Sequence, residues 1–231
     1  MFNRFKELFS SENLLDAAFH TTITMLEFDQ RMFQASSETL RLKDTAELPF
    51  DIHQTDRKIN KYQREVRRNV LTHLTIAGTQ NIVPGLVLVS IVIDVERIGD
   101  YTKNIAELAM GHPARLSGGQ YEQELVAIED IIRDHFTKAI TILSHQDKEL
   151  GRSMMMLERE VSRKSDGIVN KIIGHGNQDK SLTVSDAVVL AMYARFLKRT
   201  NSHLNNIATA IVNPFPRIGY REKRIHNDLS D

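Results

Sequence analysis

One stretch decides the fold of this chain, residues 91–107, which reads Ile91-Val92-Ile93-Asp94-Val95-Glu96-Arg97-Ile98-Gly99-Asp100-Tyr101-Thr102-Lys103-Asn104-Ile105-Ala106-Glu107. An apolar run passes here into oxygen-bearing side chains with no turn signal between them. Four of these side chains recur three or four positions apart: Glu96, Asp100, Asn104 and Glu107. At about 100° per residue, the four fall within about 80° of one another on a helical wheel. The stretch therefore predicts a helix with oxygens gathered on one face.

The acidic face continues a face that is apolar one turn earlier. Leu86, Val89 and Ile93 lie on the same side of the predicted helix as Glu96 and Asp100. We expect such a face to be covered by a neighbouring helix. A covered carboxylate needs a partner, because an unpaired charge away from water costs several kcal/mol. An apolar stripe on the opposite side is expected to enter the core: Ile91, Val95, Ile98, Ile105 and Ala109.

The composition excludes several classes of protein. Thirty basic and thirty acidic residues give no net charge over 231 residues, so the overall charge does not favour nucleic acid as a partner. Cysteine is absent, which excludes disulfides, thiol catalysis and cysteine-ligated metal centres. The longest apolar run, residues 82–93, is too short to span a bilayer, and the first residues lack an export signal. We therefore expect a cytoplasmic protein.

Periodic apolar positions and few breakers predict an all-α fold with six long helices. Residues 82–95 are rich in β-branched side chains and favour a strand by propensity alone. We predict helix there, because residues 96–107 have a clear helical period and propensity is the weaker signal. The predicted helices cover residues 14–42, 50–77, 82–111, 121–145, 154–173 and 183–212, the last beginning at a capping box, Thr183-x-x-Asp186.

The two halves of the chain form an internal repeat. An offset of 102 residues aligns the last two helices of each half without gaps, so that Val66 meets Ile168 and Leu88 meets Leu190. The repeat predicts two tandem three-helix bundles. We place the first bundle at residues 1–113, the second, diverged bundle at 114–216, and a charged tail at 217–231.

The repeat also shows a chemical difference between the halves. At the offset of 102 residues, the second half replaces both acids of the central motif and keeps its amide: Glu96 becomes Lys198, Asp100 becomes Ser202, and Asn104 becomes Asn206. On the preceding helix, Asp56 corresponds to Glu158. The first half thus offers oxygens and no cation, whereas in the second half we expect Lys198 to neutralise Glu158.

The oxygen cluster of the first half is a candidate metal site. Carboxylates at i and i+4 on one helix, joined by one from a neighbouring helix, suit hard cations such as magnesium or manganese. Iron or zinc also binds through oxygens. The candidate ligands are Glu96, Asp100, Asn104 and Asp56. The alternative is a set of ordinary ion pairs with Arg97 or Arg199.

The motif from Glu96 to Glu107, Glu-Arg-Ile-Gly-Asp-Tyr-x-x-Asn-Ile-Ala-Glu, resembles the signature of the PhoU family of phosphate-signalling regulators. The resemblance covers about residues 10–213, including the diverged copy. It implies two three-helix bundles side by side, a homodimer, and a divalent or trivalent metal ion at each acidic motif. Lys198, Asn201 and Ser202 depart from the family's pattern, which argues against a metal in the second repeat.

The resemblance further implies a non-enzymatic regulator that restrains a phosphate transporter or its sensor histidine kinase. Contact with the membrane would then come only through that partner. The nine histidines support this interpretation, because none stands with a serine and an acid in a recognisable nucleophile context. Two alternatives stay open: a metal-free structural accessory of another phosphate carrier, and a DNA-binding regulator.

Overall fold

The computed structural model describes residues 11–77, 81–112, 114–175 and 182–222. Within these ranges the chain forms α-helices and two short 3-10 turns, and no strand. The helices are α1 (Ser11–Leu42), α2 (Ile52–Ala77), α3 (Ile82–Gly111), α4 (Glu122–His145), α5 (Lys148–His175) and α6 (Val184–Val212). The 3-10 turns are Gly119–Tyr121, just before α4, and Phe215–Arg217, after α6. The all-α prediction is confirmed, and the β-branched residues 82–95 are helical as expected.

The start of α5 differs from the prediction by about two turns, because the break after α4 takes only two residues, Gln146 and Asp147. Gln146 has a left-handed backbone with φ of 53°, and the Asp147 carboxylate accepts the backbone N–H of Leu150 at 3.0 Å. The helix therefore begins at Lys148 instead of Met154. Gly151 lies inside this helix. It allows α6 to pack closely, since a Cβ on this glycine would come within 2.8 Å of Val212 Cγ2.

The start of α6 confirms the predicted capping box. Thr183 Oγ1 accepts the backbone N–H of Asp186 at 3.1 Å, and Asp186 Oδ2 accepts the backbone N–H of Thr183 at 3.0 Å. His112 Nε2, just beyond α3, lies 2.8 Å from the other oxygen of Asp186. This contact ties the end of α3 to the start of α6.

The helices form two three-helix bundles that share a core. In the first bundle α1 packs on α2 and α3, and in the second α4 and α5 pack on α6. The two bundles meet where α3 lies along α6 and where α1 touches α4. One hydrophobic cluster spans both bundles, and the whole predicted stripe from Ile91 to Ala109 is buried in it. The division at residue 113 and the separate tail stay predictions.

The first helices of the two bundles correspond with an offset of 103 residues, one more than the helices that follow. Each of the ten buried positions between residues 121 and 145 has a buried counterpart 103 positions earlier, on α1. Two of these correspondences matter below. Phe33 matches Phe136, and the buried Asp29 matches Ile132.

The apolar flank of the acidic motif is covered only at Val89, which packs against the core, so the expectation was wrong for Leu86 and Ile93. Leu86 and Ile93 are 39% and 41% exposed. The reason is that α2 packs on the neighbouring face of α3, where a Cβ on Gly85 would lie 3.2 Å from side-chain carbons of Val70 and Leu74. The contact face of α3 is therefore that of Gly85, and Leu86 points outward. No helix among the described residues is long and apolar enough to cross a membrane.

Candidate metal site

The acids of the central motif are sheltered but not sealed. The side chains of Glu96 and Asp100 are 17% and 35% exposed, so neither points freely into bulk water. Asp56, on α2, is 20% exposed. Partial burial raises the pKa of Glu96, and the neighbouring carboxylates of Asp100 and Asp56 raise it further. The structure thus brings these three predicted site residues together at the junction of α2 and α3.

The amide of the motif lies one turn further along α3. Asn104 is partly buried, and its side chain forms no hydrogen bond with any residue in the described ranges. Its oxygen is thus free to serve as a ligand. Glu107, the fourth oxygen of the predicted face, is exposed and lies beyond the sheltered part of the site.

The sequence analysis missed one acid, Asp29 on α1. Its side chain is fully buried, and neither carboxylate oxygen has a hydrogen-bond partner among the described residues. Burial raises its pKa well above the usual value, and the carboxylates of Glu96 and Asp100 raise it further. A signal was available: Asp29 stands three residues after Leu26, on the apolar stripe of the predicted first helix.

Two cations lie at the rim of this cluster, contrary to the expectation that the first half has none. Arg97 contacts Asp100 at 3.0 Å and Glu96 at 3.7 Å, and Lys103 contacts Asp56 at 3.6 Å. Arg97 therefore forms the ion pairs that the alternative interpretation predicts. Arg199 does not, because it donates to the hydroxyl of Tyr101 instead.

The arrangement of the side chains has to change before a cation can bind. No three His, Cys, Asp or Glu side chains in the described part of the chain stand in a geometry that would hold a metal ion. Asp100 is turned toward Arg97, and Asp56 toward Lys103. The side chain of Arg97 is 54% exposed, and ion pairs of this kind contribute only about 0 to 1 kcal/mol. The Arg97 pairs are thus weak enough to exchange for a metal ion, and the carboxylate and amide oxygens, with the unpartnered Asp29, fit a hard cation.

The corresponding face of the second bundle has lost this chemistry. Ile132 stands where α1 has Asp29, and Lys198 and Ser202 replace the two motif acids. Lys198 contacts Asp166 at 2.5 Å and not Glu158, so the predicted partner was wrong. A cavity of about 270 Å³ lies over Glu158, and the chain's own residues 219–221 form part of its wall.

Gly99 allows the close approach of α1 to the motif. A Cβ at this position would lie 2.9 Å from Asp29 Oδ1 and 3.2 Å from Ile59 Cδ1. We expect Gly99→Ala to lower the free energy of unfolding, because overpacking typically costs about 1 to 3 kcal/mol. The gain in helix propensity, about 1 kcal/mol at most, opposes this. Urea unfolding of the purified chain measures the difference.

Gly167→Ala is the matched control for this prediction. Gly167 also lies inside a long helix, α5, but a Cβ there would meet nothing within 4 Å. Only the propensity term applies, so this variant should be more stable by up to about 1 kcal/mol. Equal and favourable shifts for both variants would show that Gly99 is not needed for the approach of Asp29.

Curated relatives of this chain support the resemblance. A phosphate-specific transport system accessory protein PhoU homolog of Deinococcus radiodurans is 23% identical over 204 residues, which cover 85% of this chain and 92% of that protein. A protein of the same description from Synechocystis is 22% identical over 184 residues, covering 79% of this chain and 80% of that one.

Solved structures show the same fold. PhoU from Pseudomonas aeruginosa superposes with a TM-score of 0.78 at 18% identity, covering 87% of this chain and 96% of that one. The phosphate transport system regulatory protein PhoU from Streptococcus pneumoniae gives 0.73 at 16% identity, with 88% and 95% covered. The PhoU domain model matches residues 22–109 and again residues 125–211, three-quarters of the chain and once in each bundle. The chain therefore belongs to the PhoU family, as its central motif predicted.

Proposed function

We propose that this protein is a non-enzymatic, cytoplasmic regulator of phosphate uptake and phosphate-responsive signalling. It acts as a helical adaptor on a phosphate transporter, on the transporter's sensor histidine kinase, or on both. Family membership and the names of the two curated relatives support the link to phosphate transport. The family resemblance supports a homodimer that reaches the membrane only through its partner.

The observation that carries the metal half of this proposal is the sheltered acidic set of the first bundle. Glu96, Asp100, Asn104 and Asp56 would hold a hard divalent or trivalent ion, magnesium, manganese, iron or zinc. The chemistry of such an ion here is structural, because it would fix α3 against α2 and make the face of the first bundle rigid. The second bundle, with Lys198 and Ser202 in the motif positions, takes no metal in this scheme.

We expect a bound cation to stabilise the folded protein and not the unfolded chain. At a free concentration one hundred times its dissociation constant, the gain is about 2.7 kcal/mol. Thermal unfolding of metal-stripped protein, with and without added Mn²⁺, Mg²⁺, Zn²⁺ or Fe²⁺, measures this gain as a rise in Tm. Glu96→Gln combined with Asp100→Asn should abolish the rise.

Ser202→Ala is the control for that pair, because it changes the corresponding position of the second bundle. Among the described residues, Ser202 Oγ donates to the backbone oxygen of Lys198 alone, at 3.0 Å. This variant should keep the full response to the cation. The metal half of the proposal would be refuted if none of the four metals raised the Tm of the wild-type protein above that of the metal-stripped protein.

Capture from membranes tests the adaptor half. Tagged protein incubated with detergent-solubilised membranes of phosphate-replete cells should retain phosphate-transporter subunits or a sensor histidine kinase. Recovery of neither, under conditions where the tagged protein stays folded, would contradict the regulatory role. Recovery of a different phosphate carrier, unaffected by metal removal, would favour the alternative of a metal-free structural accessory.

A further inference from the structure

We propose that Asp29 is the innermost ligand of the cation, so that metal binding ties α1 to α2 and α3. The inference rests on the metal site of the proposed function and adds a ligand from a third helix. The ion would then connect all three helices of the first bundle, whereas the ligands predicted from the sequence connect only α2 and α3.

The first argument is that Asp29 has no partner of its own. Its side chain is completely buried, and both oxygens lack a hydrogen bond among the described residues. Glu129, the other buried carboxylate in the described ranges, is treated differently: Arg41 contacts it at 2.9 Å and the Tyr193 hydroxyl donates to it at 2.8 Å. Buried carboxylates need such compensation. The described residues supply this compensation for Glu129 and not for Asp29.

The second argument is the direction in which Asp29 points. The carboxylates that act on it electrostatically are Glu96 and Asp100, the two motif acids. Gly99 lies between these acids in the sequence of α3. A Cβ on Gly99 would be 2.9 Å from Asp29 Oδ1, so the glycine leaves room for this oxygen. Asp29 Oδ1 therefore lies against α3 at Gly99, beside the motif acids and on the side of α1.

The third argument is the distribution of positive charge. Arg97 contacts both motif acids and Lys103 contacts Asp56, all at the outer rim of the site. No described lysine, arginine or histidine contacts Asp29. None of the described cations therefore compensates an ionised Asp29. A small hard ion between Asp29 and the motif acids would supply the missing charge through oxygen ligands alone.

The fourth argument is that the second bundle changes these positions together. Asp29 corresponds to Ile132, Gly99 to Asn201, and the two motif acids to Lys198 and Ser202. Asn201 fills the space with an amide whose oxygen lies 2.7 Å from His135 Nδ1. Loss of the buried acid, of the glycine and of the motif acids in one bundle fits a single role for these residues in the other.

The test is isothermal titration calorimetry of the metal-stripped full-length chain with Mn²⁺ and Mg²⁺. If neither ion binds, the titration is repeated with Zn²⁺ and Fe²⁺. The variants are Asp29→Asn, which keeps the shape of the side chain, and Asp29→Ile, which installs the residue of the second bundle. We expect both to bind the cation at least about tenfold more weakly, because a carboxylate ligand of an oxygen site is lost. In the absence of metal, we expect Asp29→Ile to melt at a higher temperature than the wild type, because the uncompensated buried acid is gone.

Asp94→Asn is the matched control on α3. Asp94 is partly buried and contacts His203 and Asn206, both at 2.8 Å, on the side facing the second bundle. This variant should bind the cation as the wild type does. Full affinity in Asp29→Asn, with affinity lost in Glu96→Gln/Asp100→Asn, would overturn the role of Asp29 and leave the proposed metal site standing. A wild-type chain that binds none of the four cations would overturn both.

Discussion

Replacing Arg41 by methionine should lower the free energy of unfolding by about 3 to 5 kcal/mol, the usual loss when one member of a buried ion pair is removed. Arg41 and Glu129 have side chains only 6% and 5% exposed, and they lie 2.9 Å apart. Without the guanidinium, Glu129 keeps the neutral hydroxyl of Tyr193 but loses its buried charged partner at hydrogen-bond distance, and only the half-exposed Arg133 remains nearby, at 3.9 Å. Guanidinium or urea unfolding at pH 7 measures the effect.

Arg41 also holds the junction of the two bundles. It stands at the end of α1 and contacts Glu122 and Glu129 of α4, and it donates to the backbone oxygen of Leu116 in the connecting segment. Leu116 in turn donates its backbone N–H to Leu40 O at 2.9 Å. The substitution therefore removes contacts from α1, from the connection and from α4 together.

Arg133→Met is the matched control for Arg41. Arg133 approaches the same carboxylate, at 3.9 Å, but its side chain is 40% exposed. Removing such a pair should change the free energy of unfolding by no more than about 1 kcal/mol. Glu129→Met added to Arg41→Met should recover much of the loss, because no uncompensated charge then remains. Equal losses in the two single variants would contradict the buried-pair account.

The helical fold could be predicted because its signals are local. The period of α3 outweighs the β-branched residues at its start, and the capping box at Thr183 fixes the start of α6. The start of α5 could not be predicted in the same way. Two residues, Gln146 with its positive φ and Asp147, join α4 to α5 in place of the longer gap between the predicted helices, and Gly151 lies inside α5.

The motif acids could also be predicted as one set, whereas the sequence marks Asp29 only as an acid on an apolar stripe and not as their neighbour. Glu96 and Asp100 recur on one helix, which is visible in sequence spacing. Asp29 joins them only through the packing of α1, and the offset of 103 residues there differs from the 102 of the later helices. An alignment at 102 alone does not show that the buried acid has become Ile132.

The ion-pair partner of a lysine is a second feature that the spacing of residues in the sequence does not determine. Glu158 and Asp166 both lie on α5, and the packing of α5 on α6 places Lys198 in contact with Asp166. The same holds for the exposed flank of the motif. Leu86 and Ile93 belong to the motif's face by periodicity, but α2 meets α3 on the neighbouring face, through Gly85.

Replacing Phe136 by alanine should destabilise the whole chain by about 3 to 5 kcal/mol, the range for a fully buried phenylalanine. Phe136 of α4 is completely buried. The centroid of its ring lies 5.2 Å from the ring centroid of Phe33 on α1, its counterpart in the first bundle. Because the hydrophobic cluster is continuous through both bundles, we expect a single unfolding transition at a lower midpoint. Calorimetry and helical circular dichroism should agree on that midpoint.

Ile173→Ala is the surface comparison, because Ile173 is 74% exposed and changes of that kind stay within about 0.5 kcal/mol. Phe33→Ala combined with Phe136→Ala should cost less than the two separate losses added together, since the contact between the rings can be lost only once. Strict additivity would contradict a direct contact between these rings. Two separated transitions would contradict the shared core, since a second bundle that melts alone cannot draw its stability from packing against the first.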